Sequence, residues 1–243
     1  MPRFFMAGTN ILGGMAIMKG RDAEHVRVLR LRPGEDMIIC DGQGTDYKCR
    51  LVSADKEQVE AEVIEVVPCP AEPSVKVTVL CGLPKGDKTD YIIQKCVEAG
   101  AYEIMFFDSE RCIAKPDRPE KKLERWQRIA EEAAKQSGRG IIPQVSWAGD
   151  FTAVLDIAVK KDLGLFMYET GEREKLDDVL SANEDIATAA IITGPEGGFA
   201  QFEADLARAC KLHICSMGER ILRCETAPVV ALTAAMYATG NLS

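Results

Sequence analysis

Histidine is scarce in this chain, and other marks of common enzyme classes are missing too. Only two histidines occur among 243 residues, which argues against a hydrolase whose nucleophile depends on a histidine base. The nine cysteines include no Cys-x-x-Cys pair, so reduced and mostly buried thiols are expected. Cys210, His213 and Cys215 approach the spacing of metal ligands, but no fourth ligand follows, and we predict no metal.

Membrane and export signals are absent as well. No apolar run approaches the ~20 residues of a membrane-spanning helix. The first ten residues, MPRFFMAGTN, lack the basic-then-apolar layout of a secretory signal. A cytoplasmic protein without a membrane anchor is therefore expected.

A phosphate-binding P-loop is suggested by the context of the segment VTVLCGLPKGDKTDYIIQKCVEAG at residues 77–100, but not by its spacing. The P-loop motif needs four residues between its glycines and then Lys-Ser or Lys-Thr. Here three residues separate Gly82 from Gly86, and Asp87 comes before the next lysine. Because an acid in the loop would repel phosphate, the preferred interpretation is a turn that leads into a capped helix.

The net charge is −8, but the charges are unevenly distributed. Residues 1–34 carry six Lys or Arg against two acids, and residues 111–139 carry nine against five. Residues 35–74 carry ten acids against three bases, and residues 150–185 carry ten against four. The basic blocks would supply the positive surface that phosphate contacts need, although solvated helix faces have the same composition.

Two regions of different pattern are predicted. After a short helix around DAEHVRVLRL, residues 35–67 contain short β-branched runs divided by turns, which indicates a small antiparallel β unit. The segment PCPAEP at residues 68–73 has three prolines and no periodicity, and is the expected linker. From Val75 onward, apolar runs alternate with helical patterns, which indicates a parallel sheet covered by helices on both faces.

Ligand sites in such folds lie at the carboxyl ends of the strands. The loops there are GLPKGDK, DSERCIAK, TGPEGGFA and MGERILRCETA. In the third, a buried strand ends at Thr193, and Gly194–Gly198 turns into a helix near Ala200. The glycines are expected to let a flat ligand approach the backbone. Since Glu196 disfavours phosphate, a nucleoside-like cofactor such as S-adenosylmethionine fits this loop better than a nucleotide.

The fourth loop is a charged connector in front of an apolar helix. Arg220, Arg223 and Glu225 lie in the connector, Thr226 is the expected N-cap, and Pro228 falls in the first turn. A helix without a charged face must be covered on all sides, in a core or in a subunit interface.

Six motifs stand in a characteristic order along the chain: MPRFF, GLPKGDKTDYIIQKCVEAGAYEI, SERC, RW…I…EA…QS.R…IP, GPEGGF and GERILRCETA. Together they closely resemble the RsmE family, the 16S ribosomal RNA uracil-N3 methyltransferases of the SPOUT superfamily. The resemblance implies a PUA-like β-barrel over residues 1–70. It also implies a SPOUT α/β methyltransferase domain over residues 74–243, with a C-terminal trefoil knot. S-adenosylmethionine as cofactor, 16S ribosomal RNA in the small subunit as partner, and a homodimer are further implications.

The resemblance also implies that the cofactor lies between the loop at residues 194–198 and the connector at residues 217–227, and we predict roles for individual residues around that place. Arg223 is expected to orient the uracil or stabilise charge on its oxygens, and Glu225 to handle the N3 proton; a contact that only braces the connector would use the same pair. The cofactor contacts are predicted at Thr193, Gly194, Pro195, Glu196, Gly197, Gly198, Met217, Gly218, Ile221, Leu222, Thr226 and Ala227. The RNA contacts are predicted at Arg3, Arg21, Arg27, Arg30, Lys85, Lys88, Arg111 and Arg139.

Two other functions stay open at this point. A SPOUT enzyme that methylates another RNA position, such as a ribose 2′-hydroxyl, would carry many of the same motifs. A non-catalytic RNA-binding module, or a nucleotide hydrolase built on GLPKGDK, is the more remote alternative.

Overall fold

The computed structural model describes residues 1–6, 11–114 and 119–242. The side chains of residues 21, 22 and 119–121 lie outside this description. The chain divides into two compact units. The first comprises Met1–Glu72 and Ala134–Ile142, and the second comprises Pro73–Ala133 and Pro143–Ser243. The boundary expected near residues 70–74 is found at Glu72. In addition, Ala134–Ile142 belong to the first unit, which the sequence did not predict.

The first unit is built on a six-stranded sheet. Its elements are β1 (Arg3–Phe5), β2 (Ile11–Leu12), β3 (Met15–Lys19), α1 (Gly20–Val28), β4 (Asp36–Cys40), β5 (Thr45–Ala54) and β6 (Gln58–Pro68). The strand order is β1-β4-β5-β6-β3-β2, and every neighbouring pair is antiparallel except β1 with β4. The antiparallel β unit predicted for residues 35–67 is confirmed.

The core of this unit follows from alternation along its strands. Successive side chains of a strand point to opposite faces of the sheet. Met37 and Ile39 of β4 are therefore buried on one face, together with Cys49 and Leu51 of β5. Val26 of α1 packs into the same cluster. The helix thus covers the apolar face of the sheet.

The second unit is an α/β layer around a seven-stranded parallel sheet. Its strands are β7 (Lys76–Gly82), β8 (Glu103–Asp108), β9 (Gln144–Asp150), β10 (Leu163–Met167), β11 (Glu174–Lys175), β12 (Thr188–Thr193) and β13 (His213–Ser216). Its helices are α2 (Lys88–Glu98), α3 (Pro119–Ser137, whose last turn belongs to the first unit), α4 (Phe151–Ala158), α5 (Leu176–Ser181), α6 (Gln201–Ala209) and α7 (Ala227–Ala238). The strand order is β11-β13-β10-β12-β7-β8-β9.

All neighbouring strands of this sheet run parallel, as predicted. Residues 189–192 of β12 and residues 77–81 of β7 are buried without interruption, as central strands covered on both faces require. Within the described ranges, no helix combines the length and the apolarity needed to cross a bilayer.

Trp126 of α3 lies in the core rather than on a surface that could stack on a base. It shares a helical face with Leu123, Ile129 and Ala133, a spacing that predicts core packing. The side chain is 1% exposed, and its ring centroid lies 4.8 Å from that of Phe106. The prediction of core packing is confirmed.

Candidate functional site

A cleft of about 400 Å³ opens at the carboxyl ends of three neighbouring strands of the second unit, β12, β10 and β13. This is the edge at which parallel sheets bind ligands, and small-molecule sites commonly measure ~300–1,000 Å³. The cleft is lined by Lys88, Met167, Tyr168, Glu169, Arg173, Thr193, Gly194, Pro195, Glu196, Gly198, Cys215, Met217, Gly218, Glu219, Arg220, Ile221, Leu222, Arg223, Cys224 and Ala227.

The loop at residues 194–198, called here the glycine loop, is held by packing on three sides. Phe199, which follows it, is buried with its ring centroid 4.3 Å from that of Phe166 in β10. Gly82 lies so close to the loop that an added Cβ would stand 2.6 Å from Cδ of Pro195. Arg111 donates from Nη1 to the carbonyl of Gly197 over 3.2 Å. The glycine loop is therefore preformed by its neighbours.

The glycines at positions 194, 197 and 198 are required for a different reason from the one expected. Gly198 has φ +63°, and a Cβ there would overlap the carboxylate of Glu169. A Cβ at Gly197 would stand 2.9 Å from Cβ of Arg111, and one at Gly194 would stand 3.2 Å from the ring of Phe199. Protein atoms occupy these positions, so the expectation that the glycines leave room for a flat ligand is corrected. The backbone of Gly194 and Gly198 nevertheless lines the cleft.

The Gly-Lys turn after β7 binds a carboxylate and not a phosphate. Lys88 donates from Nζ to Oε1 of Glu196 over 2.8 Å, and the backbone N–H of Lys85 donates to the same oxygen over 3.0 Å. Nζ of Lys88 also lies 3.4 Å from Oε2 of Glu225. Glu196 thus occupies the turn in which a P-loop would hold its ligand, and a nucleotide hydrolase built on this turn is disfavoured.

The charges of this cluster reinforce one another. The hydrogen bond to Glu196 raises the pKa of Lys88 above its ordinary value, against the effect of burial. Burial raises the pKa of Glu196, but the hydrogen bond from Lys88 and those from backbone N–H groups outweigh it, and the pKa is lowered. Burial alone would also raise the pKa of Glu225. Its own backbone N–H, the thiol of Cys224 and the ammonium of Lys88 stabilise the anion more strongly, so the pKa is lowered. All three groups are therefore ionised near neutral pH.

Cys224 contributes a hydrogen bond and not a nucleophile. Its thiol donates to Oε2 of Glu225 over 3.2 Å. Burial raises the pKa of Cys224 to about 12, and the bond to Glu225 and the charge of Glu196 act in the same direction. Because only the thiolate is reactive, this thiol is inert near neutral pH.

Arg223 stands at the mouth of the cleft with an available guanidinium. Its side chain is 84% exposed, and Nη1 lies 3.9 Å from Oε1 of Glu225. That distance is beyond hydrogen-bond range, so the two residues are neighbours without a tight ion pair. The structure thus brings the predicted pair together and leaves the guanidinium of Arg223 exposed to solvent.

Most of the predicted cofactor contacts converge on the cleft. Gly197 and Thr226 are the two predicted residues outside its lining; the other ten line it. The loop after β10 is not among the four loops predicted from the sequence. Its residues Glu169 and Arg173 line the cleft, and Arg173 donates to the carbonyl of Glu169 over 2.7 Å. The apolar run LGLFMYE at residues 163–169 predicts the strand, and the polar residues after it mark a carboxyl-end loop.

Two of the arginines predicted to contact RNA are instead paired with carboxylates inside the first unit. Arg3 donates from Nη1 to Asp46 over 2.9 Å, and their side chains are 12% and 4% exposed. Arg139 is 2% exposed and donates from Nη2 to Glu72 over 2.8 Å. Since buried guanidiniums with carboxylate partners have no surface to offer, the RNA role of Arg3 and Arg139 is replaced by a structural one.

The other predicted RNA contacts lie closer to solvent. Arg27 donates from Nη1 to the carbonyls of Asp55 and Lys56 over 2.7 and 2.6 Å. Exposed positions are occupied by Arg30, Lys85 and Arg111. The side chain of Arg21 falls outside the described residues. Lys88 pairs with Glu196 and Glu225, as described above.

The chain is similar to known proteins over most of its length. A family model described as an RNA methyltransferase domain matches residues 71–236, and one described as an RNA methyltransferase PUA domain matches residues 19–64. The ribosomal RNA small subunit methyltransferase E of Bacillus subtilis (strain 168) is 37% identical over 227 residues, which cover 90% of this chain and 89% of that protein.

Two solved structures share the fold over nearly its whole length. A crystal structure of ribosomal RNA small subunit methyltransferase E from Neisseria gonorrhoeae, bound to S-adenosyl methionine, is 32% identical with a TM-score of 0.83, covering 98% of this chain and 97% of that one. A protein from Legionella pneumophila, solved with the bound cofactor SAM, is 27% identical with a TM-score of 0.79 and 97% coverage of both chains. The chain therefore belongs to the ribosomal RNA small subunit methyltransferase E family.

Proposed function

We propose that the protein transfers a methyl group from S-adenosylmethionine to N3 of a uridine in 16S ribosomal RNA of the small subunit, in the cytoplasm. The observation that carries this proposal is the cleft between the glycine loop and the connector at residues 217–227. It lies in the part of the chain that matches the RNA methyltransferase domain. A relative that matches over 97% of its own chain was solved with S-adenosyl methionine bound.

The cleft fits this cofactor by its volume and by the chemistry of its lining. Met167, Met217 and Leu222 supply apolar surface for a planar base. The carboxylate of Glu169 supplies negative charge near the backbone of Gly198. When bound, S-adenosylmethionine supplies a methyl group on a positively charged sulfur. Its cationic groups suit a cleft that presents a carboxylate.

The protein residues have to prepare the uracil as a nucleophile. N3 carries a proton that must leave, and the negative charge that results spreads onto the flanking oxygens. The exposed guanidinium of Arg223 is placed to stabilise that charge. Glu225 is ionised but has a lowered pKa, so it is a weak base. We therefore assign the larger share of rate acceleration to Arg223 and keep proton acceptance by Glu225 as a prediction.

The finer architecture also belongs to this proposal. A trefoil knot formed by the C-terminal part would bring the loops after β10, β12 and β13 together, which is where the cleft lies. A homodimer is supported by α7. Residues 228–238 contain no charge, yet Val230 and Tyr237 are 40% and 75% exposed. With Thr233 they recur at helical spacing and form one stripe that a second copy would cover.

Methyl transfer can be tested directly. We expect the purified protein, given labelled S-adenosylmethionine and small subunits that lack the modification, to label one uridine of 16S ribosomal RNA at N3. Digestion to nucleosides followed by mass spectrometry identifies the product. A label on ribose would support the other SPOUT activity, and label on neither RNA nor subunits would refute the proposal.

The affinity for RNA is expected to depend on salt through the exposed arginines of the first unit. Each phosphate contact releases a counterion, so Arg30→Gln should flatten the slope of log affinity against log salt by about one unit. Arg50 is also exposed but pairs with Asp36 over 2.9 Å, so Arg50→Gln is the matched control and should change the slope little. Filter binding at several salt concentrations measures both. Equal slopes for Arg30→Gln and the wild type would remove Arg30 from the RNA surface.

A further inference from the structure

One ammonium lies between two carboxylates that come from different walls of the cleft. Lys88, in the first turn of α2, contacts Oε1 of Glu196 at 2.8 Å and Oε2 of Glu225 at 3.4 Å. Glu196 belongs to the glycine loop, and Glu225 belongs to the connector. The three side chains are 33%, 26% and 18% exposed, respectively. They are therefore only partly screened by solvent.

The surrounding contacts fix this arrangement from each side. Glu196 also accepts the backbone N–H of Lys85, and Glu225 also accepts the thiol of Cys224. Nζ of Lys88 lies 3.5 Å from Sγ of Cys224. The thiol of Cys224 holds Glu225 within the connector, and the N–H of Lys85 ties Glu196 to the turn after β7. The ammonium of Lys88 is the group that contacts carboxylates of both the glycine loop and the connector.

We propose that Lys88 is a positioning residue that joins the glycine loop to the connector and so keeps the cofactor cleft in its binding shape. The proposal rests on the proposed function, because the ligand of the cleft is taken to be S-adenosylmethionine. It also replaces the RNA contact predicted for Lys88, since this ammonium is used inside the second unit.

The electrostatic consequence of removing Lys88 has a definite sign. Both carboxylate oxygens lie within 3.4 Å of one nitrogen. Without the ammonium, two like charges on different segments would face each other and push the segments apart. Protonation of either carboxylate would relieve the repulsion.

Beside Lys88 and the two carboxylates, the nearby charged and titratable groups of the described residues are one arginine and two thiols. Arg223 approaches Glu225 from the connector at 3.9 Å. Cys224 lies beside both Lys88 and Glu225. Cys81 of β7 is buried, and burial raises its pKa to about 12, as at Cys224. Both thiols stay neutral between about pH 5.5 and about pH 8, so the carboxylates set the pH response.

The pH response should therefore differ between the two proteins. In the wild type, the pKa values of Glu196 and Glu225 are lowered, so both carboxylates stay ionised at about pH 5.5 and affinity for S-adenosylmethionine should stay level as the pH decreases. In Lys88→Met, protonation of a carboxylate removes the repulsion, because a carboxyl facing a like charge has a raised pKa. Affinity should then rise as the pH decreases.

The test is calorimetric titration of the full-length protein with S-adenosylmethionine at about pH 8 and about pH 5.5. Lys88→Met should bind about tenfold more weakly than the wild type at the higher pH and recover at the lower one. Adding Glu196→Gln to Lys88→Met should restore much of the affinity at the higher pH. Lys95→Met is the matched control, since Lys95 lies on the same helix, is 35% exposed and pairs with Glu98. Its affinity should equal that of the wild type.

The outcomes separate this inference from the function on which it rests. A wild-type protein that does not bind S-adenosylmethionine would overturn the proposed function. A wild type that binds, with Lys88→Met unchanged in affinity, would overturn only the role of Lys88. A loss of affinity that is equal at both pH values and not restored by Glu196→Gln would also overturn it. Lys88→Arg, which retains the charge, should bind within about threefold of the wild type, and a loss as large as that of Lys88→Met would count against the charge-based role.

Discussion

Replacing Val230 with glutamate is expected to give a folded monomer and to raise the dimer dissociation constant by at least about 100-fold. Val230 lies on the exposed stripe of α7, with 40% of its surface exposed in the single subunit. A charge there costs the isolated subunit little. In the proposed symmetric interface the same charge is buried twice per dimer, once from each subunit.

The choice of position matters for this experiment. Ala235 lies on the same helix but is 1% exposed, so a glutamate there would destabilise the subunit and leave the dimer untested. Val159, at the end of α4, is an exposed valine with 48% of its surface accessible. Val159→Glu is therefore the matched control, with the same substitution at similar exposure away from α7.

Sedimentation velocity measures the assembly, and circular dichroism measures the fold. We expect a dimer for the wild type and Val159→Glu, and a monomer for Val230→Glu. Because α7 begins where the connector ends, affinity for S-adenosylmethionine should fall in the monomer as well. A monomeric wild type would refute the dimer. A monomeric Val230→Glu with full methyl-transfer activity would keep the dimer but separate it from the active site.

The sheet of the second unit was predictable because its signals are local. Buried parallel strands appear as continuous apolar runs. Six such runs each contain or overlap a strand: VKVTVLCGL, YEIMFFDS, IIPQVSW, LGLFMYE, AAIITG and LHICSMG. Helix α4 was missed although its signals were present. Asp150 caps it by accepting the N–H of Ala153 over 3.0 Å, and Phe151, Val154 and Leu155 recur at helical spacing. The six residues of α5 are too few to show a period.

The proline-rich segment at residues 68–73 is held in place by contacts that its composition does not predict. The segment PCPAEP lacks periodicity, as a flexible linker does, yet Cys69 is buried. Glu72 accepts bonds from Arg139 and from the backbone N–H groups of Gly140 and Ile141. These partners lie nearly seventy positions away. Sequence pattern identifies the turn-forming residues, but the contacts that fix them come from the fold.

The same limit applies to the charged residues of the site. The rule that ligands bind at strand ends located the glycine loop and the connector, because it depends only on topology. The RNA contacts are predicted from the positions of basic residues in loops and basic blocks, without knowledge of their partners. Arg139 is instead buried against Glu72, and Lys88 joins Glu196 and Glu225. A charge count cannot distinguish a cation facing solvent from one facing a distant carboxylate.

Replacing Arg223 with glutamine is expected to lower kcat about 100-fold while leaving affinity for S-adenosylmethionine within about twofold. Loss of one donor that stabilises a developing anion typically costs 10²–10³ in kcat, so a fall of about 100-fold is the conservative expectation. The guanidinium is 84% exposed and stands 3.9 Å from Glu225. It is therefore not a tight structural contact. Its removal should act on the reacting uracil rather than on the cofactor.

Arg220→Gln is the matched control for this substitution. Arg220 is an exposed arginine of the same connector and lines the same cleft. Among the described residues, no carboxylate forms an ion pair with Arg220, whereas Glu225 lies beside Arg223. Its kcat should stay within about threefold of the wild type if the position of the charge, rather than the net charge of the cleft, determines the rate.

The pH dependence of kcat gives a second readout that a structural role would not change. In the proposed role, Arg223 stabilises the uracil anion, so the wild type should form that anion at lower pH than a variant without the guanidinium. The rising limb of the pH–rate profile should therefore shift to higher pH in Arg223→Gln, with partial recovery in alkaline buffer. A profile of unchanged shape, together with weaker S-adenosylmethionine binding, would show that Arg223 braces the connector through Glu225. Equal losses in Arg220→Gln and Arg223→Gln would assign the effect to the overall charge of the cleft.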